Sequence, residues 1–358
     1  MKSSIGSYAW GTPEHSRLFD QSNAYTQDLL KKNGLLDDMH IYWFDEPTED
    51  DYDYVIDGND AIKRGGPNLK VLLTEQVEEK LKGHVDAWCP VLSNYVKNDL
   101  VEQQKLGDEA WTYICCCPNG KRISLFIDHP ATELRLWIWH SFKNSVNGIL
   151  LWETVYWSRN YSSYSVLQDP CKMDKRQKVY FFYCCGRVLL MFVCVYVCVL
   201  DTDVMSWNNA NGAEWGNGDG RFFFPPVRWN KNYNEYLLDD PVETIRLEIL
   251  RDGMEDWEYF NTLKEISMAK EATSKQKDAA KKLLEIPNHI INAVDTDYAL
   301  TPEDMLARRD EVGKFINAYF CGEDYDCSYS EDPSLAHSSA MLSFWLTALV
   351  AILFIIKL

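Results

Sequence analysis

Five apolar runs, separated by helix-like stretches across the first 157 residues, constrain this chain more than any other feature. They lie at 39–45, 69–76 (LKVLLTEQ), 85–91 (VDAWCPV), 110–118 (AWTYICCCP) and 147–157 (NGILLWETVYW). The runs are too apolar to leave one face wet, so they read as strands of a parallel sheet covered by helices. Helices are predicted over 16–33, ended by Asn33-Gly34, over 49–64, closed by Gly65-Gly66-Pro67, over 93–106 and over 132–142. Each run ends in residues capable of polar chemistry: Asp45 and Glu46; Thr74, Glu75 and Gln76; Trp88; Tyr113; Trp152, Glu153, Tyr156 and Trp157. In a (β/α)8 barrel such strand ends meet at one face. In a doubly wound sheet they line a crevice. Both architectures gather them at a common pocket.

The first strand end is the most pointed. In HIYWFDEPTEDD, residues 40–51, an aromatic strand pattern runs into Asp45 and Glu46, and Pro47 stops it. Proline lacks the N–H a strand needs, so the two acids fall where strand gives way to loop. There the alternation of side chains breaks, and both carboxylates can face one cavity. Paired carboxylates are the tool of glycoside hydrolysis, one donating a proton and the other stabilising positive charge. The same dipeptide also fits a solvated acidic loop, since Thr48 and Glu49 suit the start of the next helix.

Composition narrows the partners. With 358 residues and a net charge of −18, the chain has ample core and no positive surplus to hold phosphate, which excludes a nucleic-acid partner. Aromatics make up 13% of residues, many beside polar neighbours, as flat sugar faces require. Cysteines leave the compartment open: Cys115, Cys116 and Cys117 read as buried thiols, and Cys321 and Cys327 can pair in an extracellular chain. No Cys/His spacing matches a zinc site, and the reading calls for no cofactor.

Beyond residue 170 the pattern changes. Residues 171–203 carry five cysteines and the apolar run Val188–Leu200, too short for a bilayer helix; the segment reads as an insertion foreign to the fold, with a buried strand pair as the alternative. WGNGDGRFFFPP, 215–226, reads as a tight loop that lets backbone approach a ligand, with a solvent loop as the alternative. Pro241 to about Met268 reads as an amphipathic helix with Leu250, Met254, Trp257, Phe260 and Leu263 on one stripe, and with Arg246, Arg251, Asp252, Glu255 and Asp256 in structural salt links. Further helices follow over 270–320. The chain closes on a polar spacer and MLSFWLTALVAILFII, Met341–Ile356, which has the layout of a glycolipid-anchor signal, with a membrane tail or a buried helix as the alternatives. Asn160-Tyr161-Ser162 is a glycosylation sequon if the chain is secreted. The start contains no apolar stretch of signal-peptide length. The expected segments are 1–170 (barrel part), 171–203 (insertion), 204–322 (last barrel loop, final barrel helix and flanking helices) and 323–358 (spacer and hydrophobic tail).

Three motifs, FDEP at 44–47, GNGDGRFFFP at 216–225 and IRLEILRDGMEDWEYF at 245–260, together make the chain resemble glycoside hydrolase family 123 over roughly residues 35–165 and 205–320. The resemblance implies a (β/α)8 barrel and removal of terminal β-linked N-acetylgalactosamine from glycans or glycolipids by a retaining, substrate-assisted mechanism. It implies Glu46 as general acid/base, holding a proton, and Asp45 as the ionised carboxylate that orients the 2-acetamido group. Trp88, Tyr113, Trp152, Tyr156 and Trp157 are inferred to stack on sugar or line the acetyl pocket, and Asp219 and Arg221 to bind substrate; the family pattern does not fix these. If the strand at 147–153 is the eighth of the barrel, the one ending at Asp45 is the fourth. The fold expected is therefore α/β, a partial (β/α)8 TIM-type barrel of strands 4–8 with C-terminal helices, at the cell surface and anchored through its C-terminal tail. Such a chain, lacking three strands, leaves two sheet edges bare and is expected to be an incomplete gene product. The rival readings are a non-catalytic carbohydrate-binding surface protein and an incomplete pseudoenzyme.

Overall fold

The computed structural model describes residues 4–5, 7–114, 121–127, 129–151, 154, 189–192, 222–224, 227–230, 235–238, 242–292 and 294–322. The chain divides into two compact units, Met1–Val312 and Gly313–Leu358, and all the architecture below belongs to the first except the last turns of the final helix.

A short antiparallel pair, β1 (Ser4–Ile5) and β2 (Tyr8–Ala9), leads into α1 (Pro13–Lys32). Thr12 caps α1 by accepting the His15 N–H at 3.3 Å, and Pro13 takes the first helical position, where its missing N–H costs nothing. The parallel series follows: β3 (His40–Ile41), α2 (Tyr52–Gly65), β4 (Lys70–Leu73), β5 (Ala87–Trp88), α3 (Lys97–Leu106), β6 (Glu109–Tyr113), α4 (Thr132–Lys143) and β7 (Gly148–Leu151). Strands β3 to β7 pair in sequence order, all parallel, with registers such as His40 opposite Lys70 and Trp111 opposite Gly148. They form a curled half-barrel sheet, the mixed α/β architecture that the apolar runs imply. A further strand, β8 (Leu189–Phe192), pairs parallel with β7 and lies within the expected insertion. The rest of 171–203 lies outside the described residues.

Strand parity sorts the core. Leu72, Ala87, Cys89, Trp111, Tyr113 and Leu150 pack together on one face of the sheet, with Tyr42 beside them. Their neighbours Leu73, Trp88 and Ala110 face the other way, onto Tyr52 and Val55 of α2 and Leu100 of α3. Both faces are dry, as a helix-covered parallel sheet requires.

Helix α4 is buried along almost its whole length, from Glu133 to Phe142. Its Trp137 N–H donates to Thr112 Oγ1 in β6 at 3.1 Å. Its outer side meets α5 (Ile245–Met268), which follows β9 (Phe223–Phe224), β10 (Val227–Asn230), β11 (Glu235–Leu238) and β12 (Val242–Glu243). Arg135 of α4 holds Asp256 of α5 through Nε at 2.5 Å and Nη2 at 2.8 Å; Trp139 donates to the same carboxylate at 2.7 Å. The expected salt links are present: Asp252 also approaches Arg135 at 3.5 Å, and Arg251 pairs with Glu248 and, at 3.8 Å, Glu255. Arg246 donates to the Leu125 carbonyl and lies over the Phe222 ring, 4.6 Å from its centroid.

Helix α5 starts at Ile245, four residues later than its apolar pattern suggests. Residues 242–243 are drawn into β12 by pairing with β9, and both Thr244 N–H and Oγ1 donate to the Phe222 carbonyl, at 2.9 and 2.8 Å. Two more helices complete the unit, α6 (Ser274–Leu284) and the first part of α7 (Glu303–Cys321). Cys321 is disulfide-bonded; Cys327, like Cys115–Cys117, the sequon and Met341–Ile356, lies outside the described residues. Among the described residues no helix is long and apolar enough to cross a membrane.

The tightest joint in the sheet is Gly148, where an added Cβ would stand 2.6 Å from the Trp111 ring. Gly148→Ala is therefore expected to destabilise the protein by about 1–3 kcal/mol, read as a lowered denaturant midpoint with an unchanged m-value.

Candidate active site

The site is built where β3 and β4 end. After Ile41, Tyr42 packs on one face of the sheet, while Trp43 and Phe44 both pack on the helix side, against Tyr54 of α2. Trp43 docks outward on α2, its N–H donating to Asn59 at 2.7 Å; Gly58 is the residue that makes room for the ring, since a Cβ there would lie 2.0 Å from it. Tyr42 turns to the opposite face. Glu46 then takes a φ of +43°, the left-handed region that bulky residues avoid. This turn lets Asp45 and Glu46 be held by the same neighbour.

Thr74, the first residue after β4, does the holding. It has the parity of Leu72 and so sits on the same face as Tyr42 and Tyr113. Its Oγ1 accepts the Glu46 N–H at 2.8 Å and donates to Asp45 Oδ1 at 3.0 Å. Tyr42 donates its phenol to that same oxygen. Burial, and then the Asp45 carboxylate, push the Tyr42 phenol well above its ordinary range, so it remains a donor at any working pH. On the neighbouring strand, Tyr113 donates its phenol to Glu46 Oε1. Both acids of the pair thus have one oxygen fixed by a tyrosine.

Glu46 and Tyr113 lie on a cleft of about 400 Å³, within the size range of ligand pockets. Thr74, Glu75 and Gln76 from the end of β4 and Val91 to Asn94 from the segment after β5 complete its near wall. Its far wall is Arg122, Ile123 and Asp295. Arg122 Nη1 reaches both Asp295 oxygens at 3.0 Å, and the Ile123 N–H donates to the Asp295 carbonyl at 3.0 Å, so two distant loops are clamped together. Glu75 is buried in this cleft, and its carboxyl is pushed up to about 7, mainly by burial. Its Oε1 accepts the Gln76 N–H, which opposes the shift; Glu78 and Glu46 add to it.

Of the residues singled out by sequence, Asp45, Glu46 and Tyr113 come together here. Trp88 does not: it is 0% exposed, packs against α2 and α3, and donates its N–H to Asp108 at 2.9 Å. Parity explains the difference, because in β5 it is Ala87 and Cys89 that face the cleft side, leaving Trp88 on the helix side. Trp152, Tyr156, Trp157, Asp219 and Arg221 lie outside the described residues. Tyr42, the clamping role of Thr74, and the Arg122–Asp295 wall were not singled out. Thr74 carried a usable signal in its parity with Leu72; Arg122 and Asp295 are 173 residues apart and carried none.

A family model described as glycoside hydrolase 123, catalytic domain, matches residues 2–263, which include every cleft residue named above except Asp295. No curated protein matches the chain.

Thr74→Val keeps the shape of the side chain and removes both hydrogen bonds to the acidic pair. It is expected to cost about 1–3 kcal/mol, because a backbone N–H and a carboxylate lose a partner together. Thr74→Ser should recover most of this in the same denaturation series. Equal midpoints for the Val and Ser variants would remove the clamp from the account.

Proposed function

The chain belongs to glycoside hydrolase family 123, and we propose that it releases terminal β-linked N-acetylgalactosamine from glycans or glycolipids, with retention of configuration and with the substrate's own acetamido group as nucleophile. The observation that carries this reading is the pair itself. Two consecutive carboxylates sit at one strand end, each steadied on one oxygen by a tyrosine, and Glu46 borders a cleft of sugar-binding size.

In the first step the acetamido carbonyl oxygen attacks the anomeric carbon, the glycosidic C–O bond breaks, and Glu46 gives its proton to the departing oxygen. The sugar is left as an oxazolinium ion, its positive charge shared with the acetamido nitrogen. Asp45 suits the role of partner to that nitrogen. Its Oδ1 is occupied by Tyr42 and Thr74, while its Oδ2 takes no hydrogen bond among the described residues and is available to the acetamido N–H. An ionised acceptor there strengthens its hold as charge develops, which is where electrostatic stabilisation accelerates a reaction. In the second step water attacks the anomeric carbon from the face the aglycone left, gives its proton to Glu46, and reopens the ring. Two inversions give net retention. Tyr113 keeps the Glu46 carboxylate in one orientation through both transfers.

On the same reading, β3 to β7 are strands four to eight of a (β/α)8 barrel, whose C-terminal strand ends bear the active site. The disulfide at Cys321 suits an oxidising compartment. Met341–Ile356 would hold the enzyme at a membrane surface, facing glycans or glycolipids of the cell exterior.

The full chain should hydrolyse an aryl β-N-acetylgalactosaminide, with the β-anomer as first product by NMR. Glu46→Gln is expected to reduce turnover by about 10²–10⁴-fold, and Asp45→Asn by about 10²–10³-fold. Replacing the acetyl group by trifluoroacetyl should slow the wild type strongly, because the attacking oxygen is then electron-poor. Unchanged turnover in Glu46→Gln would take that residue out of the mechanism, and indifference to the fluorines would exclude the neighbouring-group step.

A further inference from the structure

Glu75 is the cleft residue that the mechanism above leaves without a task. It follows Thr74 directly, lines the cleft beside Glu46 and Tyr113, and is only 8% exposed. Buried carboxylates are ordinarily paired with a cation; Glu75 has no such partner among the described residues. The charged and titratable groups around it are Glu46 from the loop after β3, Glu78 from its own loop, Tyr52 from α2, and the Arg122–Asp295 pair on the far wall, in which Arg122 Nη1 holds both Asp295 oxygens. Among the described residues its carboxylate takes one hydrogen bond, at Oε1, from the adjacent Gln76 N–H at 3.1 Å. Neither of its oxygens is a buried atom without a partner, so the second one opens on the cleft.

Resting on the glycosidase reading, we propose that Glu75 is a sugar-binding residue that works as a neutral carboxylic acid, donating a hydrogen bond to an oxygen of the N-acetylgalactosamine unit while Asp45 and Glu46 carry out the chemistry. Two arguments favour the acid over the carboxylate. Burial with two acidic neighbours and no cation stabilises the protonated form and holds it up to about 7. A neutral carboxyl also offers a donor as well as an acceptor, and a sugar hydroxyl can use both. Ionisation removes the donor and sets a negative charge in the cleft beside Glu46 and Glu78. Substrate therefore binds to the protonated cleft, and affinity falls as pH rises through 7. The sign for stability is the same. A carboxyl whose folded-state value lies above its unfolded one stabilises the acid side, and loses that contribution as pH rises through about 7.

The test is calorimetric titration of the full chain with the cyclic thiazoline analogue of N-acetylgalactosamine, a stable mimic of the ring-closed ion, from pH 6 to pH 8 in buffers of different ionisation enthalpy. Wild type should bind about tenfold more weakly at pH 8 than at pH 6, the factor expected for a group titrating near 7, and should take up close to one proton on binding at pH 8. Glu75→Gln, permanently neutral, should bind at pH 6 within about threefold of wild type and hold that affinity to pH 8 without proton uptake. Glu75→Ala should bind at least tenfold more weakly at pH 6. Thermal melts of both variants at pH 6 establish that they are folded. A pH slope that survives in folded Glu75→Gln assigns the proton elsewhere and overturns the inference, as does wild-type binding that is flat with pH. Failure of the wild type to bind the analogue at any pH overturns the glycosidase reading, and this inference with it.

Discussion

Whether Asp45 and Glu46 act as a pair depends on a single hydroxyl. Consecutive residues of an extended chain point to opposite sides, so two adjacent acids cannot share a substrate unless the backbone leaves the strand between them. Here it leaves by a positive φ at Glu46, a conformation that costs on the order of 1–3 kcal/mol for such a residue. Thr74 Oγ1 offsets that cost at both ends, accepting from the Glu46 N–H and donating to the Asp45 carboxylate. Its position is in turn a matter of register. His40 and Ile41 pair with Lys70 and Val71, and a slip of one residue would turn Thr74 to the helix face. The chemistry at the strand end is thus fixed by the pairing of the strands behind it.

The register is held by layers packed outside it. Helix α4 lies between the sheet and α5, and several of its polar groups reach partners in other elements. Trp137 reaches Thr112 in β6, while Arg135 and Trp139 converge on Asp256 in α5, which Arg309 also reaches at 3.1 Å. Such a buried cluster is weak evidence for net stability, since two desolvated charges roughly offset their attraction. Removing one member is costly all the same, at about 3–5 kcal/mol. It therefore works as a specification of how α4, α5 and α7 must meet. The motif that carries much of the family resemblance, IRLEILRDGMEDWEYF, is largely this packing surface, which is why it identifies the fold while contributing no side chain to the cleft.

Much of the sheet was legible because its signals are local and redundant. Apolar runs, helix-ending Asn33-Gly34 and Gly65-Gly66-Pro67, and the stop at Pro47 each mark a boundary within a few residues. The acidic pair was legible for the same reason: a strand pattern and its break are adjacent in the chain. Trp88 was misplaced because a short apolar run such as VDAWCPV does not announce which parity faces inward; its neighbours Ala87 and Cys89 are as apolar as it is. The start of α5 was placed early because the pairing of β12 with β9 is a long-range fact, invisible to a 3.6-residue period. The far wall of the cleft was invisible altogether, since nothing near Arg122 in sequence points to Asp295.

The charge around this cleft bears on which substrates it can turn over. Asp45, Glu46 and Glu75 lie at neighbouring strand ends, and the Arg122 guanidinium on the opposite wall is held bidentately by Asp295. In a chain of net charge −18, the resulting field disfavours an anionic group at the reacting centre and favours a cation there. On the proposed mechanism, ring closure by an acetamido group would produce such a cation from a neutral sugar, and the field would act on the transition state far more than on the bound substrate, the condition for catalysis rather than mere tight binding. A protonated Glu75 fits the same logic. With Glu75 neutral, no further negative charge stands beside the pair, so Asp45 would answer the developing charge and Glu46 pass its proton without competition from a third acid.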